Sequence, residues 1–199
     1  MAKFEGIFEI QGTVKGMSFY KTKDGLMVRS KGGISKKRIA NDPAFQRTRE
    51  NNSEFGHNAK MGQLMRKSVA GMMSLAKDNR VSSRVVKLMS TAKNLDFDSA
   101  RGERKVWIGL ESTEGKQTIK GFNFNDNSPF HSVFRSQYSL DVVTGVVSIP
   151  GFNPATHLLL PQGATHASFS MAVSSVDFET DAFETTYSPK SNFPLTDGL

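Results

Sequence analysis

Cysteine is absent from the 199 residues. That removes disulfides, thiolate nucleophiles and every zinc or iron–sulfur site that needs sulfur ligands. It leaves the compartment open, because reducing and oxidising environments both tolerate such a chain. Long apolar runs are missing too: no window approaches the roughly 18 apolar residues of a membrane helix. The opening MAKFEGIFEIQG places Glu5 and Glu9 where a signal peptide needs an unbroken apolar stretch. The expectation is a chain that inserts in no membrane and stays in the cytoplasm, with release in a particle or by a non-classical route compatible. Tryptophan occurs once, but 15 Phe and 37% hydrophobic residues suffice for a folded core.

Acidic residues are scarce in the first half. Residues 1–105 hold 22 of the 26 Lys and Arg but only 10 of the 19 Asp and Glu, a net of +12. Residues 106–199 carry a net of −5, so the formal +7 hides two segments of opposite sign. Local fields of this kind decide which surfaces attract one another or a polyanion.

Catalytic signatures are lacking as well. His157 and His166 stand nine residues apart without an HExxH spacing, and neither they nor His131 sit in a Gly-x-Ser-x-Gly setting. EGKQTIKG lacks the spacing of a phosphate loop, and KGGISKK has no dinucleotide fingerprint behind it. No cofactor is expected. His57, beside Lys60, reads as a residue on the polar face of a helix.

What is present divides by pattern. Residues 3–30 read as strands, with MSFYKT and LMVRS flanking Lys23-Asp24-Gly25, a strong hairpin signal. KGGISKKR reads as a basic, flexible connector. Asn41-Asp42-Pro43 marks a helix start, because an Asx oxygen caps free N–H groups and Pro is tolerated in the first turn. Phe45, Asn52, Phe55, Ala59, Gly62, Met65, Val69, Met72 and Ala76 then recur at mostly three- and four-residue steps, the face of one helix or of two broken near Gly56. Asp78-Asn79 ends this region, and Ser82-Ser83 can cap a second helix carrying Val85, Val86, Leu88, Met89 and Ala92. After Asp98 the period becomes two: KVWIGLE, IKGFNFN, QYSLDVV, GVVSI, HLLLP, ASFSMAVSSVDFE and FETTYS read as short strands. Thr144-Gly145 marks a second hairpin, and the tail SPKSNFPLTDGL reads as extended. The fold expected is α+β: an N-terminal β-hairpin, a central basic helical hairpin and a C-terminal antiparallel β-sandwich-like unit. The regions expected are 1–105 and 106–199, either separate or integrated in one domain.

Three strings carry a resemblance: GMSFYKTKDGLMVR, GGISKKRIANDPAFQRTRENNSEFG, and PATHLLLPQGATHASF followed by VDFE. Together they resemble a family of small proteins common in Bacteroidota genomes that has no assigned activity. The resemblance implies one recurrent architecture and a bacterial or phage-related source, and it transfers no site.

The function expected is non-enzymatic: a self-associating structural subunit, such as a coat, tube or filament component of a phage-like element. Oppositely charged surfaces on one subunit can meet head to tail, and eight of the nine Met, adaptable packers, precede residue 90. Candidate contacts are Lys36, Lys37, Arg38, Arg47, Arg49, Arg66, Lys67, Arg84 and Lys87. The counter-surface would be Asp177, Glu179 and Asp181, which alternate and would share one face of a strand. The alternative is a nucleic-acid-binding protein using the same cations on phosphates. Against it, Arg47 and Arg49 point to different sides of a helix, and Glu50 and Glu54 interrupt the positive surface.

Overall fold

A computed structural model describes residues 2–3, 10–30 and 33–195. It shows an α+β chain with an N-terminal antiparallel sheet, helices in the middle and antiparallel strands at the C-terminal end. Two compact units, 1–49 and 50–199, divide it. The sequence readings for residues 4–9, Lys31, Gly32 and the tail from residue 196 lie outside the described residues.

In the first unit, strands β1 (Ala2–Lys3), β2 (Gly12–Val14), β3 (Met17–Thr22) and β4 (Gly25–Ser30) pair in the order β1-β4-β3-β2. The expected hairpin is β3–β4, closed by Thr22 opposite Gly25 around Lys23-Asp24. Gly25 takes φ 113°, which a side chain would resist. Lys15 and Gly16 both take positive φ between β2 and β3, the backbone twist that a two-residue hairpin turn requires. Lys36 to Arg38, the last part of the expected flexible connector, instead open helix α1 (Lys36–Asn41), while residues 33–35 stay irregular. Ser35 supplies the reason, accepting the Arg38 N–H as its N-cap at 3.2 Å. Asp42 caps the following 3₁₀ turn, Pro43–Phe45, through the Ala44 N–H.

Helix α2 (Gln46–Ser68) runs unbroken through Gly56; the interruption falls at Val69, before α3 (Ala70–Ala76). Helix α4 (Val81–Lys93) starts two to three residues earlier than the Ser82-Ser83 cap implied, after Arg80. Its Val81, Val85, Met89 and Ala92 fall at steps of four, four and three and are buried with Met61 of α2 and Val106. Met65, Met73, Trp107 and Phe178 pack against this core.

Three segments read as strands, KVWIGLE, IKGFNFN and HLLLP, are otherwise; HLLLP begins at the end of a one-turn helix and keeps only an isolated bridge, Leu158 to Phe134. KVWIGLE is helix α5 (Val106–Glu111), and residues 113–119 form helix α6 (Thr113–Ile119), with Ser112 as N-cap. A Cβ on Gly109 would lie 1.9 Å from the Ala92 carbonyl oxygen, and one on Gly115 1.9 Å from that of Gly109. Glycine at these two positions lets α4, α5 and α6 touch backbone to backbone. IKGFNFN is largely irregular and is held by side chains. Asp78 accepts the Asp126 N–H and the Arg84 guanidinium, which also donates to the Asn123 carbonyl.

The C-terminal strands form three two-stranded antiparallel ladders. One-turn helix α7 (Phe130–Val133) precedes the first ladder, and a second, α8 (Pro154–His157), lies between the first ladder and the other two. Strand β5 (Ser139–Leu140) pairs with β6 (Val147–Ser148), giving the expected Thr144-Gly145 hairpin in shortened form. Strand β7 (His166–Phe169) pairs with β10 (Ser191–Pro194), and β8 (Ala172–Asp177) with β9 (Ala182–Tyr187). Tyr187 accepts the Gly71 N–H, and Thr185 donates to the Ser68 carbonyl, so β9 docks where α2 gives way to α3. A second, aromatic cluster centres on Phe134, which is 4% exposed and meets Phe130, Phe152 and Phe169 at ring-centroid distances of 5.1, 6.1 and 5.9 Å.

Candidate functional site

The most concentrated ionic chemistry lies inside the helical core. Glu54 is buried on α2, where it accepts two parallel bonds from Arg104, at 2.7 and 2.8 Å. It also accepts from Lys93 Nζ at 2.5 Å and from the Gly102 N–H at 2.8 Å. The Arg104 guanidinium does most to hold its carboxyl at about 2, against the cost of burial and with help from Lys93. Asp96, also buried, accepts the N–H groups of Asp98, Ser99 and Lys105. His57 Nε2 accepts the Val106 N–H at 3.0 Å while the ring meets Trp107 edge-on. The expected polar-face histidine is thus a half-buried strut. Burial and the charges of Lys105 and Lys60 push its pKa below the ordinary value. Both Glu54 oxygens and His57 Nε2 are committed to internal donors, so these groups fix the loop 94–105 and the start of α5.

The other histidines do not converge. His157 Nδ1 accepts the Asn153 N–H, His131 lies against the Phe130 ring, and His166 pairs with Thr165. Among the described residues no group of three His, Asp or Glu could hold a metal ion. No helix among them is long and apolar enough to cross a membrane.

The nine cations singled out in the sequence divide. Arg38 pairs with Asp42 and lies over the Phe45 ring, and Arg49 donates to the carbonyls of Ile39 and Asp42 at the end of α1. Arg84 holds Asp78 and covers Phe122. Arg66 is half-buried beside Gly62. Lys36, Lys37, Arg47, Lys67 and Lys87 are exposed. The structure therefore turns several candidate contacts into internal struts. No sequence signal marked this, since the partner carboxylates and carbonyls are set by the fold.

The acidic triplet is not a strand face. Strand β8 ends at Asp177, whose carboxylate accepts the N–H groups of Glu179 and Thr180 in the turn. Asp181, at φ 60°, pairs with Lys60. Bonds from Thr180 and Glu179 hold the Asp177 pKa below the usual carboxylate value.

Two open clefts stand out among the described residues. One, of about 600 Å³, opens beside the aromatic cluster and is lined by Phe130, Tyr138, Val146, Phe152, Phe169 and Phe193 among others. Its lining carries no charged group, so it offers apolar contact rather than acid–base chemistry. Above it the β5–β6 hairpin leaves Val142 84% and Val143 90% exposed. Asp141 fixes that turn, accepting the Val143 N–H at 2.9 Å and the Thr144 hydroxyl at 2.7 Å. The second cleft, of about 670 Å³, lies between α5, α6 and the β8–β9 turn. Trp107, Leu110, Ile119, Val176 and Phe178 make its floor, and Glu111, Asp177 and Glu179 stand at its rim with Lys116. Sequence reasoning missed both clefts, because each is assembled from segments dozens of residues apart. Comparison with protein-family models, curated proteins and solved structures gives no match for the chain.

Proposed function

We propose that this chain is a non-catalytic subunit that associates with copies of itself, as a component of a coat, tube or filament of the phage-like kind. The observation that carries the reading is the apolar surface left open in the C-terminal region. Val142 and Val143 stand out from a turn that Asp141 holds rigid, next to an uncharged aromatic cleft. Apolar patches of this sort mark surfaces that are covered by a partner. The committed state of Glu54, Asp96 and His57 supports the non-catalytic part, since none is poised toward a cleft. Light scattering of the full chain tests the reading: Val142→Asp/Val143→Asp should lower the mean mass with an unchanged circular dichroism spectrum. An unaltered mass in that variant would remove the apolar surface from the assembly.

A second reading, binding to nucleic-acid phosphates, draws on exposed Lys36, Lys37, Lys67 and Lys87. It expects retention of a labelled oligonucleotide at about 50 mM salt, where phosphate contacts are strong. Loss of retention at that ionic strength would dismiss it.

A further inference from the structure

We propose that the cleft between α5, α6 and the β8–β9 turn receives helix α1 of a second copy of this chain, with Lys36 and Lys37 seated against Glu111, Asp177 and Glu179. This rests on the self-association proposed above and names surfaces for it.

The cleft has two chemical parts. Its floor is apolar and half-buried, made of Trp107, Leu110, Ile119, Val176 and Phe178. Its rim carries three exposed carboxylates against one lysine, Lys116. The volume of about 670 Å³ lies within the size of sites that hold a compact ligand or a few side chains. The Asp177 carboxylate does not wander, because the Glu179 and Thr180 N–H groups at 2.8 and 3.1 Å fix its place. An occupant must bring apolar surface and positive charge together.

Helix α1 brings both. Lys36 and Lys37 are exposed in its first turn, and the adjoining Ile34 is 44% exposed. The helix is preformed by the Ser35 cap, which lowers the ordering cost of docking. Arg38 does not compete for the rim, since it is engaged by Asp42 and Phe45. Arg49 closes the helix end through the Ile39 and Asp42 carbonyls, so the basic turn is held as one piece. Donor and acceptor surfaces are different patches on one chain, so the contact is heterologous and propagates as a ring or filament. Exposed charge pairs steer and select partners, and placing like charges opposite one another is strongly unfavourable.

The test uses two variants of the full chain, Lys36→Glu/Lys37→Glu and Glu111→Lys/Glu179→Lys, all at exposed positions. Sedimentation velocity should show each variant alone with an apparent dissociation constant raised at least about tenfold. Mixed one to one, the unaltered helix of the second variant meets the unaltered cleft of the first, and the charge-reversed helix meets the charge-reversed cleft with opposite signs again, so association should recover. Matching thermal melts would show that both variants fold. If the unaltered chain associates and either variant associates equally well, this contact is wrong while self-association stands. Recovery failing in the mixture would likewise overturn the pairing. A strictly monomeric unaltered chain would end both proposals.

Discussion

Glu54 shows how far a residue's role can depart from its sequence surroundings. It stands among basic side chains on α2 and reads as an interruption of a solvated positive surface. In the fold it is the buried counter-ion of Lys93, which is only 3% exposed, and of Arg104. Glu54→Gln should destabilise the chain by about 3–5 kcal/mol, because a buried cation loses its partner, as measured by denaturant unfolding. The pH dependence has a definite sign. A carboxyl near 2 in the folded state and 4.5 when unfolded contributes stability that is complete above pH 4.5 and is lost as pH falls toward 2. The Gln variant should flatten that part of the stability profile. His57 acts one step higher in pH. Its lowered pKa means that the unfolded chain binds the proton more readily, so its contribution is complete above 6.5 and fades as pH falls through the folded value. His57→Phe leaves the buried Val106 N–H without an acceptor and should cost about 1–3 kcal/mol at pH 7. An NMR titration in which His57 protonates at or above the ordinary value would contradict this account. None of these roles was legible in the sequence, since Lys93 and Arg104 lie 39 and 50 residues from Glu54.

At the scale of elements, legibility followed length. Helices α2 and α4 are long enough to display a 3.6-residue period, and two hairpins carry Asp-Gly and Thr-Gly turns whose backbone demands can be read directly, whereas the Lys15-Gly16 turn emerges only in the structure. Helix α5 has six residues, too few to display any period, and its Val, Trp and Ile imitate a strand. What decides its conformation is the backbone approach of Gly109 to Ala92. Gly109→Ala should therefore cost about 1–3 kcal/mol or more, as an overpacked site with no side chain to yield, and Gly115→Ala should behave alike. Gly56 is the control. It lies inside α2 with open space beside it, so Gly56→Ala should stabilise by about 0.5–1 kcal/mol. Thermal melts of the three variants give the ranking. A neutral Gly109→Ala would mean that α5 can move off α4 without loss.

For the whole molecule, the charge split remains a property of the sequence, but the fold redistributes its meaning. Arg38, Arg49, Arg84, Lys93 and Arg104 hold elements together, and the exposed remainder is led by lysines such as Lys36 and Lys37. The α+β class could be read from the change of pattern along the chain. The open surfaces could not, because Phe134 meets Phe152, and Phe152 meets Phe193, only through tertiary packing. Self-association is the central claim. It is tested most directly by sedimentation velocity of the unaltered full chain across a hundredfold concentration series at low and at moderate salt. The account predicts species heavier than one chain that grow with concentration, the charged contact of α1 weakening as salt rises while the apolar contact persists. A single species at the mass of one chain, 21.9 kDa, throughout the series would contradict it.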